Sequence, residues 1–131
     1  CSRYITFKFK TPTSFKTNNQ YQFYPTTEHI LKSLVNKFNV CGFDAELDYF
    51  EDMEEALQHM QIVNYSLHST QFYLEHTKIP SFMGRITLKI TGPQQFVNLM
   101  HLLIRIGEYA GIGIKTAMGM GAVEIIERKE K

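Results

Sequence analysis

Residues 85–126 read RITLKITGPQQFVNLMHLLIRIGEYAGIGIKTAMGMGAVEII, and the order of patterns within them sets the architecture. From Arg85 to Thr91 the residues alternate, with Ile86, Leu88 and Ile90 on one side and Arg85, Thr87, Lys89 and Thr91 on the other. That is the period of a strand with one buried face. Gly92-Pro93 ends it and starts a helix, with Pro93 suited to the first helical position and Gln95 placed to reach back toward the cap. Phe96, Met100, Leu103 and Gly107, widened by Leu99, Ile104 and Ile106, give that helix an apolar face broad enough to be mostly buried. Gly111–Gly121 follows, holding four of the chain's eight glycines in a G-x-G-x5-G-x-G arrangement around Lys115, and Ala122–Ile126 reads as a last strand.

Working outward, the N-terminal part shows the same alternation of strand and helix. Residues 4–10 place Ile5, Phe7 and Phe9 on one side and Thr6, Lys8 and Lys10 on the other, a half-buried strand. Thr11-Pro12-Thr13-Ser14 is expected to break it, because proline restricts both itself and the residue before it. A second polar break is expected at Thr17-Asn18-Asn19-Gln20. Thr26 or Thr27 can cap a helix in which Glu28 suits the positive end and Ile30, Leu31, Leu34, Val35 and Phe38 form a stripe, stopping near Asn39. Gln61–Leu74, rich in β-branched and aromatic residues, reads as a long strand, and the strand through Ile86 follows Pro80. The order strand, helix, strand, strand, helix, strand predicts one α+β domain over residues 1–131, ferredoxin-like, with a four-stranded antiparallel sheet and both helices on one face. Thr6, Lys8, Lys10, Arg85, Thr87 and Lys89 would then line the uncovered face, where ordinary solvated positions and a basic surface for an RNA backbone are both consistent with the pattern.

The bulk numbers fit a soluble globular domain: 131 residues, 44% hydrophobic and 21% charged, with no apolar run as long as a membrane span. Cys1 and Cys41 make neither a disulfide framework nor a metal-ligand spacing, so a reducing, cytoplasmic setting is expected, with no metal and no cofactor. The net charge of +1 hides an asymmetry. Asp44, Glu46, Asp48, Glu51, Asp52, Glu54 and Glu55 gather seven of the thirteen acidic residues, and the remaining chain carries 14 basic residues against 6 acidic, or +8. That distribution suits a polyanionic partner. The acidic stretch offers calcium-loop oxygens from Asp44 to Glu55, but Tyr49 occupies the place where the sharp turn requires Gly, which argues for a solvated loop or short helix.

Successive amides exposed in a glycine-rich turn can form a concave nest for phosphate oxygens, and Lys115 would add a full charge; tight turns that serve only the fold are the other reading of the same spacing. A Walker A loop is excluded because Ile114, not Gly, precedes Lys115-Thr116, and a dinucleotide fingerprint is excluded because helix precedes loop.

Three stretches, Thr11–Lys16, Phe82-Met83-Gly84-Arg85-Ile86 and above all Tyr109–Gly121, together with the order of elements, give the chain its resemblance to CRISPR-associated repeat-processing endoribonucleases of the RAMP superfamily. The likeness covers essentially the whole chain as the C-terminal half of such a protein, and the first residues, Cys rather than Met entering a strand at once, suggest a piece cut from a longer one. The resemblance implies tandem ferredoxin-like domains that cut precursor CRISPR RNA once per repeat without metal. The ribose 2′-hydroxyl attacks the neighbouring phosphate, with acid–base help from a histidine that many members carry in the N-terminal domain. It implies RNA contacts at Gly111, Gly113, Gly119 and Gly121, with Lys115 and Thr116 as the polar residues meeting RNA. It also implies partners: CRISPR repeat RNA and the missing N-terminal domain, with a homodimer or effector subunits beside them, and no membrane. The alternative is a non-catalytic RAMP subunit that binds guide RNA in an effector complex. None of His29, His59, His68, His76 and His101 sits in a recognisable constellation. His29, near the start of the first helix, is the residual catalytic candidate, and His101, inside the second helix, reads as structural.

Overall fold

In the computed structural model, which describes residues 3–40 and 53–127, the alternating apolar residues of the first and third predicted strands become the centre of the sheet. Ile5, Phe7 and Phe9 of β1 (Tyr4–Thr13) and Ile86, Leu88 and Ile90 of β5 (Thr77–Ile90) are buried. β2 (Phe15–Thr17) and β3 (Gln20–Gln22) form a small hairpin, followed by α1 (Thr27–Val40), α2 (Met53–Gln58) and β4 (Met60–Leu74). After β5 come α3 (Gln94–Ala110), a 3-10 turn (Thr116–Met118) and β6 (Val123–Glu127). The sheet order is β4-β5-β1-β6 with every neighbouring pair antiparallel, the ferredoxin-like order.

The two long helices cover one face. Ile30, Leu31, Leu34 and Phe38 of α1 and Val97, Met100, Leu103, Ile104 and Ile106 of α3 join Ile5, Phe7, Ile86 and Leu88 in one core. Gly107 lets the helices approach, since a β-carbon there would stand 2.4 Å from Leu34 Cδ2. Thr26 caps α1 by accepting the His29 N–H at 3.1 Å. At α3 the expected reach of Gln95 is not made: Pro93 takes the cap position with no side-chain cap bond, and Gln94 bonds Asn98 at 2.9 Å instead.

Of the two expected breaks, the first proves to be strand as far as Thr13 and the second is a tight turn between two short strands. β1 runs on to Thr13 through an irregularity after Phe9 that lets Pro12 sit without a ladder donor. Asn18 and Asn19, both at positive φ, form the turn that returns β2 onto β3. Of the acidic stretch, residues 44–52 lie outside the described residues, as do 128–131 of the charged tail, while Glu54 and Glu55 stand in the first turn of α2. No helix among the described residues is long and apolar enough to cross a membrane.

Candidate functional site

The sheet face turned away from the helices follows from strand register, because residues directly opposite in an antiparallel pair share a face. Thr6 pairs with Thr87, their hydroxyls 2.9 Å apart, and Lys8 lies directly opposite Arg85. Two exposed cations thus face each other across β1 and β5, an arrangement that is unfavourable in a bare sheet and is relieved by an anion. On its other side Lys8 faces Glu124, which also pairs with Lys10 at 3.8 Å. Lys89 is half-buried with its ammonium 5.8 Å from the centre of the Tyr4 ring. Gln61, Asn64 and Ser66 of β4, opposite Lys89, Thr87 and Arg85, extend the surface with neutral hydrogen-bonding groups. The face holds Lys8, Lys10, Arg85 and Lys89 against Glu124.

The glycine loop packs at one end of this sheet, and its amides point inward. Gly111 N–H donates to Gly107 O, Ile112 N–H to Gly121 O, Gly113 N–H to Ser33 Oγ and Ile114 N–H to Ser14 O, all between 2.8 and 3.0 Å. Met118 and Met120 donate to Lys115 O, Gly119 to Thr116 O, Gly121 to Pro12 O and Ala122 to Thr11 Oγ1. The expected anion nest therefore does not form from these amides. Gly111, Gly113, Gly119 and Gly121 all have internal partners, and Gly111 and Gly121 are also buried. Close approach explains two of them: a β-carbon would stand 2.4 Å from Ser14 O at Gly113 and 2.0 Å from Ile112 O at Gly121. The amides of Lys115, Thr116 and Ala117 take part in none of these bonds. Lys115 is exposed in the left-handed region, φ 55°, and Thr116 Oγ1 accepts from Lys37 Nζ at 2.8 Å.

Ser33 and Lys37, one α1 turn apart, thus hold the loop, and sequence reasoning missed both. Their i, i+4 spacing on the polar side of the helix was visible, but their partners lie 80 and 79 residues away.

His29 is engaged on both ring nitrogens. The Gln22 side-chain nitrogen, 3.2 Å away, can only donate, so Nδ1 accepts from it, with the Thr26 hydroxyl also 2.7 Å from Nδ1. Nε2 then carries the proton and donates to Thr17 Oγ1 at 2.8 Å. The ring ties β2 and β3 to α1, and both its nitrogens are committed to that task. His101 is buried, with Nδ1 3.2 Å from Glu127, whose carboxylate also receives Arg105 at 2.8 Å. Among the described residues no three His, Cys, Asp or Glu side chains gather as a metal centre needs.

Residues 7–123 match the family described as CRISPR-associated endoribonuclease Cas6. The chain belongs to this family. A Cas6 endoribonuclease of Streptococcus thermophilus is 34% identical over 97% of the chain, and one from Mycobacterium tuberculosis is 30% identical over 90%. The chain spans about half the length of the first Cas6 relative, 52%, and 37% of the second. The solved Cas6 of Thermus thermophilus superposes with a TM-score of 0.85 at 23% identity, covering 95% of this chain and 54% of that one. A Cas6 product complex gives 0.82 at 22% identity, covering 96% and 52%. At these identities the two Cas6 structures bear on the fold alone, and they share the ferredoxin-like arrangement.

Proposed function

We propose that this chain is the C-terminal, RNA-binding half of a Cas6 endoribonuclease that cuts precursor CRISPR RNA within its repeats, the 2′-hydroxyl beside the scissile phosphate acting as nucleophile without metal. The observation that carries the reading is the Lys8–Arg85 opposition on an open sheet face, with Lys10 and Lys89 beside it, in a chain that belongs to an endoribonuclease family. RNA backbone would lie across that face toward the loop end of the sheet, where Lys115 is exposed. The loop's role shifts accordingly from amide cradle to rigid mount: its internal bonds fix where Lys115 and Thr116 stand.

The catalytic proton carrier belongs, in this reading, to the part of the relatives' length that the chain does not span. His29 and His101 are both engaged within the fold. The curated relatives' endoribonuclease names favour a nuclease over a guide-RNA scaffold subunit. The test is a gel assay with labelled CRISPR repeat RNA in EDTA. Binding without cleavage is expected from this chain, and cleavage only once the N-terminal half is supplied. Efficient cutting by the chain alone would refute the division of labour.

A further inference from the structure

We propose that the groove between α1, the β2–β3 hairpin and the glycine loop is a second contact for a single RNA strand, holding a backbone phosphate between Lys16 and Lys32 on the helix side of the domain. The proposal rests on the RNA-binding reading above and adds a site that the open sheet face does not include. The groove measures about 420 Å³, room enough for a phosphate with its sugar. Its walls are tied to one another. Ile114 N–H donates to Ser14 O, Gly113 N–H to Ser33 Oγ, and His29 joins Thr17 of the hairpin to α1, so the groove exists before any ligand enters.

The lining has the chemistry of an anion contact. Lys16 and Lys32, both exposed, stand at the rim, one leaning on the Tyr21 ring at 5.3 Å and the other 2.8 Å from Glu28. Thr17 and Asn36 add neutral polar groups along the wall. Among the described residues Glu28 is the only carboxylate lining the groove, and its pairing with Lys32 is an exposed one that a phosphate can displace. Lys37, further along α1, and Lys115 in the loop continue the line of positive charge beyond the groove. Cations that extend past the cavity fit a polymer with regularly repeated charge better than a single acidic peptide side chain.

Glu28 makes the proposal testable in both directions. Binding of a fluorescein-labelled oligouridylate is followed by anisotropy across a salt series. Lys16→Ala with Lys32→Ala is expected to lower the slope of log Kd against log salt by about 1.4, two counterions on a single strand. Glu28→Gln, which frees Lys32 and removes the competing charge, is expected to tighten binding. If the double variant and Glu28→Gln leave affinity and slope unchanged while Lys8→Ala with Arg85→Ala lowers both, the groove contact is overturned and the sheet-face reading stands. If the unaltered chain fails to bind RNA, both fall. Competition by oligoglutamate that depends on Lys16 and Lys32, with oligouridylate indifferent to them, would overturn the RNA assignment and point to an acidic protein segment.

Discussion

A β-carbon at Gly121 has nowhere to go: it would lie 2.0 Å from the Ile112 carbonyl oxygen, on a residue whose φ is +75°. Gly119 has a similar backbone, φ +101°, yet nothing lies within 4 Å of its missing side chain. Gly121→Ala should therefore destabilise by well over about 1 kcal/mol and Gly119→Ala by clearly less, as urea unfolding of the two variants would show. The four-glycine spacing was legible in the sequence, but the destination of the amides was not. Gly111 and Gly119 donate within the loop's own neighbourhood, but Gly113, Ile114 and Gly121 donate to Ser33 Oγ, Ser14 O and Pro12 O, acceptors far off in the chain that leave no local signature. Lys115, which the sequence offers as a full charge beside the loop amides, stands exposed at φ 55°. Lys115→Ala should lower the salt dependence of RNA binding by about one counterion, and an unchanged slope would remove it from the phosphate contacts.

Elements with strong periodicity were read correctly, and those held by side-chain chemistry were not. Ile86, Leu88 and Ile90 announce their strand by alternation, whereas Phe15–Thr17 and Gln20–Gln22 are three residues each and too short to show a period. The small hairpin leans instead on His29, whose ring nitrogens meet Thr17 and Gln22. His29→Ala is expected to speed amide exchange in residues 15–22 while α3 stays protected, and equal loss in both would show that the ring supports the whole domain. The start of α1 has its own pH dependence. Glu28 is held below its ordinary value of 4.5 by the hydrogen bond from Lys32 and then by that residue's charge, so the carboxylate favours the folded state above 4.5 and ceases to do so as pH falls through the depressed value. Glu28→Gln should flatten the acid limb of the melting temperature below pH 4.5, and an unaltered limb would place the acid sensitivity elsewhere.

At the scale of the molecule, one core joins sheet and helices, and the phenylalanines of β1 sit at its middle. Phe7 is fully buried and meets Phe9 edge-on at 6.4 Å. Phe7→Ala should cost about 3–5 kcal/mol, read as a lowered urea midpoint with the slope preserved. The layer order and the open face followed from counting apolar positions, because both depend on periods that the chain repeats over many residues. The groove beside α1 did not, because it is made where three short pieces of different elements meet.

The pairing of Ile5 with Glu127 brings the first and last described strands side by side, and Arg3 anchors the leading one by donating to Ile90 O and Gly92 O. Seven residues further along β1, at Pro12, the glycine loop is fastened, about 23 Å away at the usual rise of a strand. Chain joined to the described residues ahead of β1 or beyond β6 would thus set out from the end of the sheet opposite the loop and leave the loop's exposed rim clear.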